Sequence, residues 1–263
     1  MNHLIQEIAK KGTELDIYNA ICSVGTYVAV IYSIYHGFRL KVPKLRMLIV
    51  LACVAIAMGS IQGTIYDLLW QLKEIQFLGM ETTVNSIVRV FIFLPLIAYI
   101  LAKILRLKWA LVCDAIAMYP LVKSGIAQLA CIFPGCCRGY LCQWGIYNMK
   151  VDALCFPIQI LETILTLGIF AFLVIRTKRK NYVSDGTLFP LMMTLYGIMR
   201  FICEALRDNE KLFLGISPVG YHALLLFVVG WIALRRIKKK QQTLPCGIKG
   251  EEISSSGGQC DAQ

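Results

Sequence analysis

Residues 194–210, TLYGIMRFICEALRDNE, form an apolar run that nevertheless carries Arg200, Glu204 and Arg207. Tyr196, Arg200 and Glu204 recur at intervals of four, and Arg207 follows at three. At about 100° of rotation per residue, this spacing puts all four on one helical stripe, where successive members can touch. Inside a membrane each such charge costs a few kcal/mol, about 2.5–3.5 on insertion scales, so ionisable groups there are read first as functional. Guanidinium forks match phosphate oxygens bidentately. A carboxylate between two of them can hold them in place or accept a proton. The stripe reads as an anchor for an anionic headgroup. Two arginines around one carboxylate leave it net positive, with Arg200, Glu204 and Arg207 carrying the chemistry and Tyr196 on the same face. The plainer alternative is an intrahelical ion pair with Arg207 reaching to the membrane interface.

The elements that must carry this stripe follow from composition. The 263 residues are 57% hydrophobic with a mean hydropathy of +0.64, too apolar for an ordinary soluble domain. A membrane-crossing helix needs about 20 mostly apolar residues. Seven stretches qualify: 17–36, 47–70, 84–105, 109–133, 156–175, 187–206 and 218–235. The expectation is an all-α integral membrane protein with seven transmembrane helices. Glu14 and Asp16 before the first stretch, and the basic cluster after it, argue against a cleaved signal peptide.

The net charge of +11 orients the chain. Of the 27 Lys and Arg, 17 fall in the connections after the first, third and fifth spans and in the tail, seven on the opposite side, and three within spans. Cytoplasmic connections accumulate Lys and Arg. The N-terminus is therefore expected outside and the C-terminus in the cytoplasm, and the basic balance is a topology signal that excludes nucleic acid as the partner. Three segments result: an extracytoplasmic lead over 1–15, a seven-helix domain over 16–237, and a basic then polar, Gly- and Ser-rich tail over 238–263.

Other polar residues interrupt the spans. Arg89, one to two turns from the outer face, is placed either to join the anionic site or to snorkel to the interface. Asp114 lies near Lys103, Arg106 and Lys108 and is expected to pair with them. Lys123 is near mid-span, where it needs a partner or a cavity, and Gln128 is expected to bond between helices. Gly59 and Gly63 stand one turn apart and predict close helix packing. The outer loop over 134–155 is irregular, with a Pro-Gly turn, aromatics and cysteines. Cys131, Cys136, Cys137, Cys142 and Cys155 gather around it, and the histidines are only His3, His36 and His222. Their spacing lacks the paired knuckles of a zinc site, so no metal is expected. Disulfides and buried free thiols both remain open, as does a thiol–disulfide oxidoreductase using Cys136, Cys137 and Cys142.

Three segments, in order, resemble the prolipoprotein diacylglyceryl transferase family. SGIAQLACIFPGCCRG (124–139) looks like the family signature, including a Gly-Cys-Cys that some relatives carry at Gly135, Cys136 and Cys137. FPIQILE (156–162) is similar to a family H-P-x-Q-L-Y-E stretch. LYGIMRFICEALRDNE (195–210) closely matches Y-G-x-x-R-F-x-x-E-x-x-R. Gln128 stands where the family has an arginine, Cys136 near its carboxylate, and Phe156 in place of its histidine; around 82–89 the family's His-Gly is replaced by TTVNSIVR.

The resemblance implies seven spans with the N-terminus outside. It also implies transfer of a diacylglyceryl group from phosphatidylglycerol to the lipobox cysteine thiol of a prolipoprotein, at the plasma membrane of a bacterium. No cofactor, metal or nucleotide is implied. Arg200, Glu204 and Arg207 would be catalytic, and Tyr196, Gln128, Gly135, Arg138, Arg89 and Gln159 would bind substrate, with Arg89, Lys123 or Arg138 replacing lost positive charge. The alternative is a non-catalytic or altered-acceptor lipid-binding relative.

Overall fold

The computed structural model describes residues 14–54, 87–178, 182, 184–208 and 213–243. Helix α1 is Glu14–Arg39, α2 covers 44–54, α3 is Ile87–Ile104, α4 Trp109–Ile116 and α5 Tyr119–Ala130. Strands β1 (Leu141–Asn148) and β2 (Ala153–Cys155) follow. The chain ends with α6 (Ile158–Lys178), α7 (Leu188–Ala205), a short 3-10 turn at Phe213–Gly215, and α8 (Pro218–Thr243).

The protein is mostly helical. Among the described residues, five helical stretches are long and apolar enough to cross a membrane: Asp16–Arg39, Trp109–Ala130, Ile158–Lys178, Leu188–Ala205 and Val219–Gln242. The expected spans at 47–70 and 84–105 run into residues outside this description, as do Gly59 and Gly63.

Antiparallel packing of successive spans gives the bundle two distinct ends. Gly25 of α1 meets Ile126 of α5, Thr163 of α6 bonds to Gly125 of α5, and Arg39 Nη2 donates to the Thr177 carbonyl at 3.0 Å. The helices α7 and α8 approach most closely. A Cβ on Gly197 would lie 2.6 Å from the Phe227 nitrogen, and one on Gly230 would lie 2.8 Å from the Thr194 nitrogen. Small residues permit this backbone approach, which in a membrane replaces the hydrophobic drive of water-soluble packing.

Three sequence expectations change. The all-α expectation is corrected by an antiparallel hairpin: Asn148 pairs with Ala153 and Tyr147 with Leu154, while the register slips between Leu141 and Ile146. The fourth span breaks between α4 and α5, because Pro120 lacks the N–H that would bond to the preceding turn. The seventh helix continues to Thr243, because its basic last turns keep a helical pattern past the apolar stretch.

Asp114 also differs from expectation. Instead of pairing with Lys103, Arg106 or Lys108, its buried carboxylate caps α7 from across the bundle. It accepts from Ser184 Oγ (2.9 Å) and from the amides of Gly186 (2.9 Å), Leu188 (3.1 Å) and Phe189 (3.3 Å). A helix start leaves several amides without intrahelical acceptors, and a carboxylate there also meets the positive end of the helix dipole. Asp114→Ala is expected to cost on the order of 3 kcal/mol by stranding these donors. Chemical unfolding in detergent, followed by helical circular dichroism, measures the loss, and Asp114→Asn should fall between the two.

Candidate functional site

The fold brings the charged stripe of α7 against a carboxylate the stripe does not contain. Glu162, on the second turn of α6, is 1% exposed and accepts from both arginines. Arg200 Nη1 bonds to its Oε1. Arg207 Nη2 reaches Oε2 at 2.5 Å, and Arg207 Nε reaches Oε1 at 3.2 Å. Glu204 closes the group from the same helix, with Oε2 at 3.4 Å from Arg200 Nη2 and 3.8 Å from Arg207 Nε. The site thus holds two guanidinium ions and two carboxylates. The net positive balance expected from α7 alone is corrected by the charge that α6 contributes.

Each residue is placed by a local reason. Arg200 and Glu204 share a face because they are one helical turn apart. Arg207 lies past the end of α7, and its extended backbone pairs with Gly139. Beside that bridge the Tyr140 amide bonds to the Leu206 carbonyl at 3.3 Å, and the Asp208 amide to the Arg138 carbonyl at 3.4 Å. Tyr196 stands one turn below Arg200, with its hydroxyl 3.1 Å from Ser124 Oγ on α5. The Gln128 Oε1 of α5 lies 3.5 Å from Arg207 Nη2. Ser217, just before α8, donates to Glu204 Oε1 at 2.9 Å and accepts the Gly220 amide at 3.1 Å, joining the start of α8 to the site. A small cleft bordered by Glu204, Gly215, Ile216, Ser217 and Gly220 opens beside that carboxylate. Arg200 Nε is buried with no hydrogen-bond partner among the described residues.

The remaining expected residues are distributed unevenly. Gln159 is buried on the first turn of α6, and its carbonyl accepts the Thr163 hydroxyl at 2.8 Å. Gly135 takes a left-handed φ of +62° and offers its carbonyl to Asn148 Nδ2 at 3.0 Å. Arg138 does not join the arginine pair; its guanidinium forks onto Asp208 Oδ2 at 2.9 and 3.1 Å, partly exposed. Lys123 lies 6.0 Å from the ring centre of Tyr119. Arg89 is in the first turn of α3, and its side chain lies outside the described part of the structure.

Glu162, Ser124 and Ser217 complete the site without having been picked out as members of it. Glu162 had a signal, a lone carboxylate in an apolar span closing the FPIQILE motif; the two serines had none.

Cysteines border the same place. The nine described cysteines are free thiols, and Cys131, Cys136 and Cys137 converge while Cys142 turns to the Trp144 carbonyl at 3.2 Å. Hydrogen bonds from the Cys131 and Cys136 thiols, with the Arg207 and Arg200 charges behind them, outweigh burial and hold the Cys137 thiol well below the usual cysteine range.

A multi-pass helical membrane protein with a buried guanidinium–carboxylate group near one end of its bundle is the class these features define. A family model described as prolipoprotein diacylglyceryl transferase matches residues 6–236, and the chain belongs to that family. A phosphatidylglycerol–prolipoprotein diacylglyceryl transferase of Dehalococcoides mccartyi is 28% identical over 132 residues, 47% of this chain and 50% of that protein. One of Streptococcus pyogenes is 28% identical over 86 residues, 33% of this chain and 32% of that protein. The chain thus matches half the length, or less, of these curated relatives.

Breaking a buried ion pair by removing one partner costs about 3–5 kcal/mol, whereas replacing both with apolar groups of similar size is often neutral. Glu162→Leu should therefore destabilise the protein strongly, and Glu162→Leu/Arg207→Met should recover much of the loss. Unfolding midpoints of the single and double variants in detergent test this coupling.

Proposed function

We propose that the protein transfers the diacylglyceryl group of phosphatidylglycerol to the lipobox cysteine thiol of a prolipoprotein, in the plasma membrane of a bacterium. The buried Arg200–Arg207 pair, held by two carboxylates in a chain of this family, carries the reading. The proposed architecture has seven spans, with the arginine end facing outward. In support, the opposite end bears Arg39, Lys41, Lys44, Arg106, Lys108, Arg176 and Lys178, the side that cytoplasmic charge favours. Residues 16–237 form the transferase domain in this reading.

The lipid enters between helices from the outer leaflet, and its phosphate takes oxygen positions now held by Glu162. Arg200 and Arg207 bind it, with Arg200 Nε and Gln128 as further donors. The thiol sulfur attacks the diacylglyceryl carbon, the bond from that carbon to the phosphate oxygen breaks, and a thioether forms. Glycerol phosphate leaves, its charge stabilised by the guanidinium ions. The thiol proton passes to a carboxylate, for which Glu204 is the better placed because it borders an opening while Glu162 is occupied by both arginines. Tyr196 orients Arg200, Gly135 and Gln159 shape the walls, and Arg138 and Arg89 contribute charge at the rim.

One observation favours a second reading. The site is charge-neutral, and Gln128 stands where the family resemblance expects another arginine, so the protein could hold an anionic lipid without turnover. Vesicles containing acyl-labelled phosphatidylglycerol and a lipobox peptide separate the two. Transfer by the wild type is expected, with Arg200→Ala and Glu204→Ala each reducing it on the order of a hundredfold or more. Arg207→Lys should also fall sharply, because an ammonium ion cannot reproduce the fork. Normal transfer by both alanine variants excludes the stripe from the mechanism. Lipid binding without any labelled peptide establishes the non-catalytic reading.

A further inference from the structure

The spacing of Cys131, Cys136 and Cys137 lacks the knuckle pattern of a zinc site, yet the fold gathers their three sulfurs within 4.8 Å of one another. The cause is local. The chain leaves α5 through a tight turn over 131–135, and Gly135 at φ +62° reverses it so that the two following cysteines fold back over the first. Buried Asn148 of the hairpin fixes that turn, donating to the Gly135 carbonyl at 3.0 Å; any Cβ on Gly135 would lie 2.9 Å from the Asn148 side-chain oxygen. The cluster is therefore presented by a braced turn.

The separation of Cys136 and Cys137 suits a shared metal ion better than a bond between the two. Cys136 Sγ and Cys137 Sγ are 3.8 Å apart, far beyond the roughly 2.05 Å of a disulfide. Three thiolates each about 2.3 Å from one ion in tetrahedral geometry would lie about 3.8 Å from each other, and a planar three-coordinate ion would set them near 4.0 Å. Among the described residues these cysteines are the one group of three or more His, Cys, Asp or Glu arranged to share an ion. An all-sulfur set selects soft cations over magnesium or calcium. Cys136 is exposed, which leaves a route for the ion and an open position for water.

We propose that Cys131, Cys136 and Cys137 form a three-thiolate site for a soft d10 metal ion, Zn2+ or Cu+. The site ties the end of α5 to the segment that pairs with Arg207, and it stands independently of the lipid chemistry proposed above. Bound metal braces the loop without entering the transfer reaction.

The test uses the full chain in detergent micelles, reduced and kept free of air, and titrated with Cd2+. One equivalent should produce a cadmium–thiolate charge-transfer band in the ultraviolet. In the same wild-type protein, Cd2+ should shield Cys131, Cys136 and Cys137 from iodoacetamide while Cys142 still labels, as read by peptide mass spectrometry. The band should vanish in Cys131→Ser/Cys136→Ser/Cys137→Ser and persist in Cys142→Ser. Displacement of Cd2+ by Zn2+ or by Cu+ then tells which ion the site prefers. The proposal is overturned if reduced wild type gives no band, if the shielded thiols are others, or if two of the three cysteines are joined by a disulfide in protein isolated without air. The shielding measurement needs no variant, so a poorly folding triple substitution leaves the outcome decided.

Discussion

Two guanidinium ions share the oxygens of one buried carboxylate, and the upper half of the bundle is arranged around that fact. Removing an ion from water costs several kcal/mol even after relaxation, and the cost is recovered only where partners and hydrogen bonds are in place. Arg200 comes from the end of α7 and Arg207 from just past it, while Glu162 comes from α6. The two helices must therefore meet at one register, and α5 must lie close enough for Gln128 and Ser124 to satisfy the periphery. Thr163 on α6 donates to the Gly125 carbonyl of α5 at 3.0 Å and locks the third side of the triangle. A slip of one residue between α6 and α7 would part Glu162 from both arginines.

Neutrality has a consequence for ligand chemistry. A bare pair of arginines in a low-dielectric bundle would repel each other and bind any passing anion. Here a carboxylate occupies the forks, so a phosphate binding as proposed would exchange one oxyanion for another rather than fill a vacant cationic pocket. Selectivity then depends on what else the ligand contacts, since the gain from exchange is smaller than from simple pairing. Glu204 is held differently from Glu162. Its Oε1 takes the Ser217 hydroxyl at the start of α8, which leaves it bordering a cleft while remaining within reach of both arginines. Two carboxylates a helix apart are thereby given unequal environments, a common way to divide structural support from proton transfer.

Much of the helical scaffold was legible because its signals are local: apolar length, the basic connections, and the four-residue recurrence of Tyr196, Arg200 and Glu204. What escaped were relations between elements distant in sequence. Glu162 is 38 residues from Arg200, and periodicity within one span says nothing about the rotation of another. Asp114 was assigned to nearby lysines because sequence proximity was the only guide; the fold uses it to cap a helix that starts 74 residues later. Arg138 was counted as free charge, while chain pairing 70 residues on delivers Asp208 to it. Arg207 was placed on the helical stripe, yet α7 ends at Ala205, and what aims the guanidinium is an extended bridge. The cysteine spacing likewise carries no local signal for the turn at Gly135 that brings the sulfurs of Cys131, Cys136 and Cys137 together.

That bridge shows why the loop between α5 and α6 belongs to the site. The run 138–140 is bonded on one edge to 206–208, and through the Tyr140 carbonyl it accepts the Phe156 amide at 2.9 Å on the way into α6. Gly139 sits where these strands converge: an added Cβ would lie 2.7 Å from the Phe156 oxygen and 3.2 Å from that of Leu206. No side chain fits there without parting the backbones. The loop therefore holds, within a single residue's width, the start of the helix that supplies Glu162 and the end of the helix that supplies the arginines. Ion pairs alone would leave Arg207 free to swing about its long side chain, since it lies past the last turn of α7. Backbone pairing removes that freedom before any ligand arrives, so the electrostatic part of the site acts from a fixed position, as preorganised charge must if it is to favour a developing oxyanion over water.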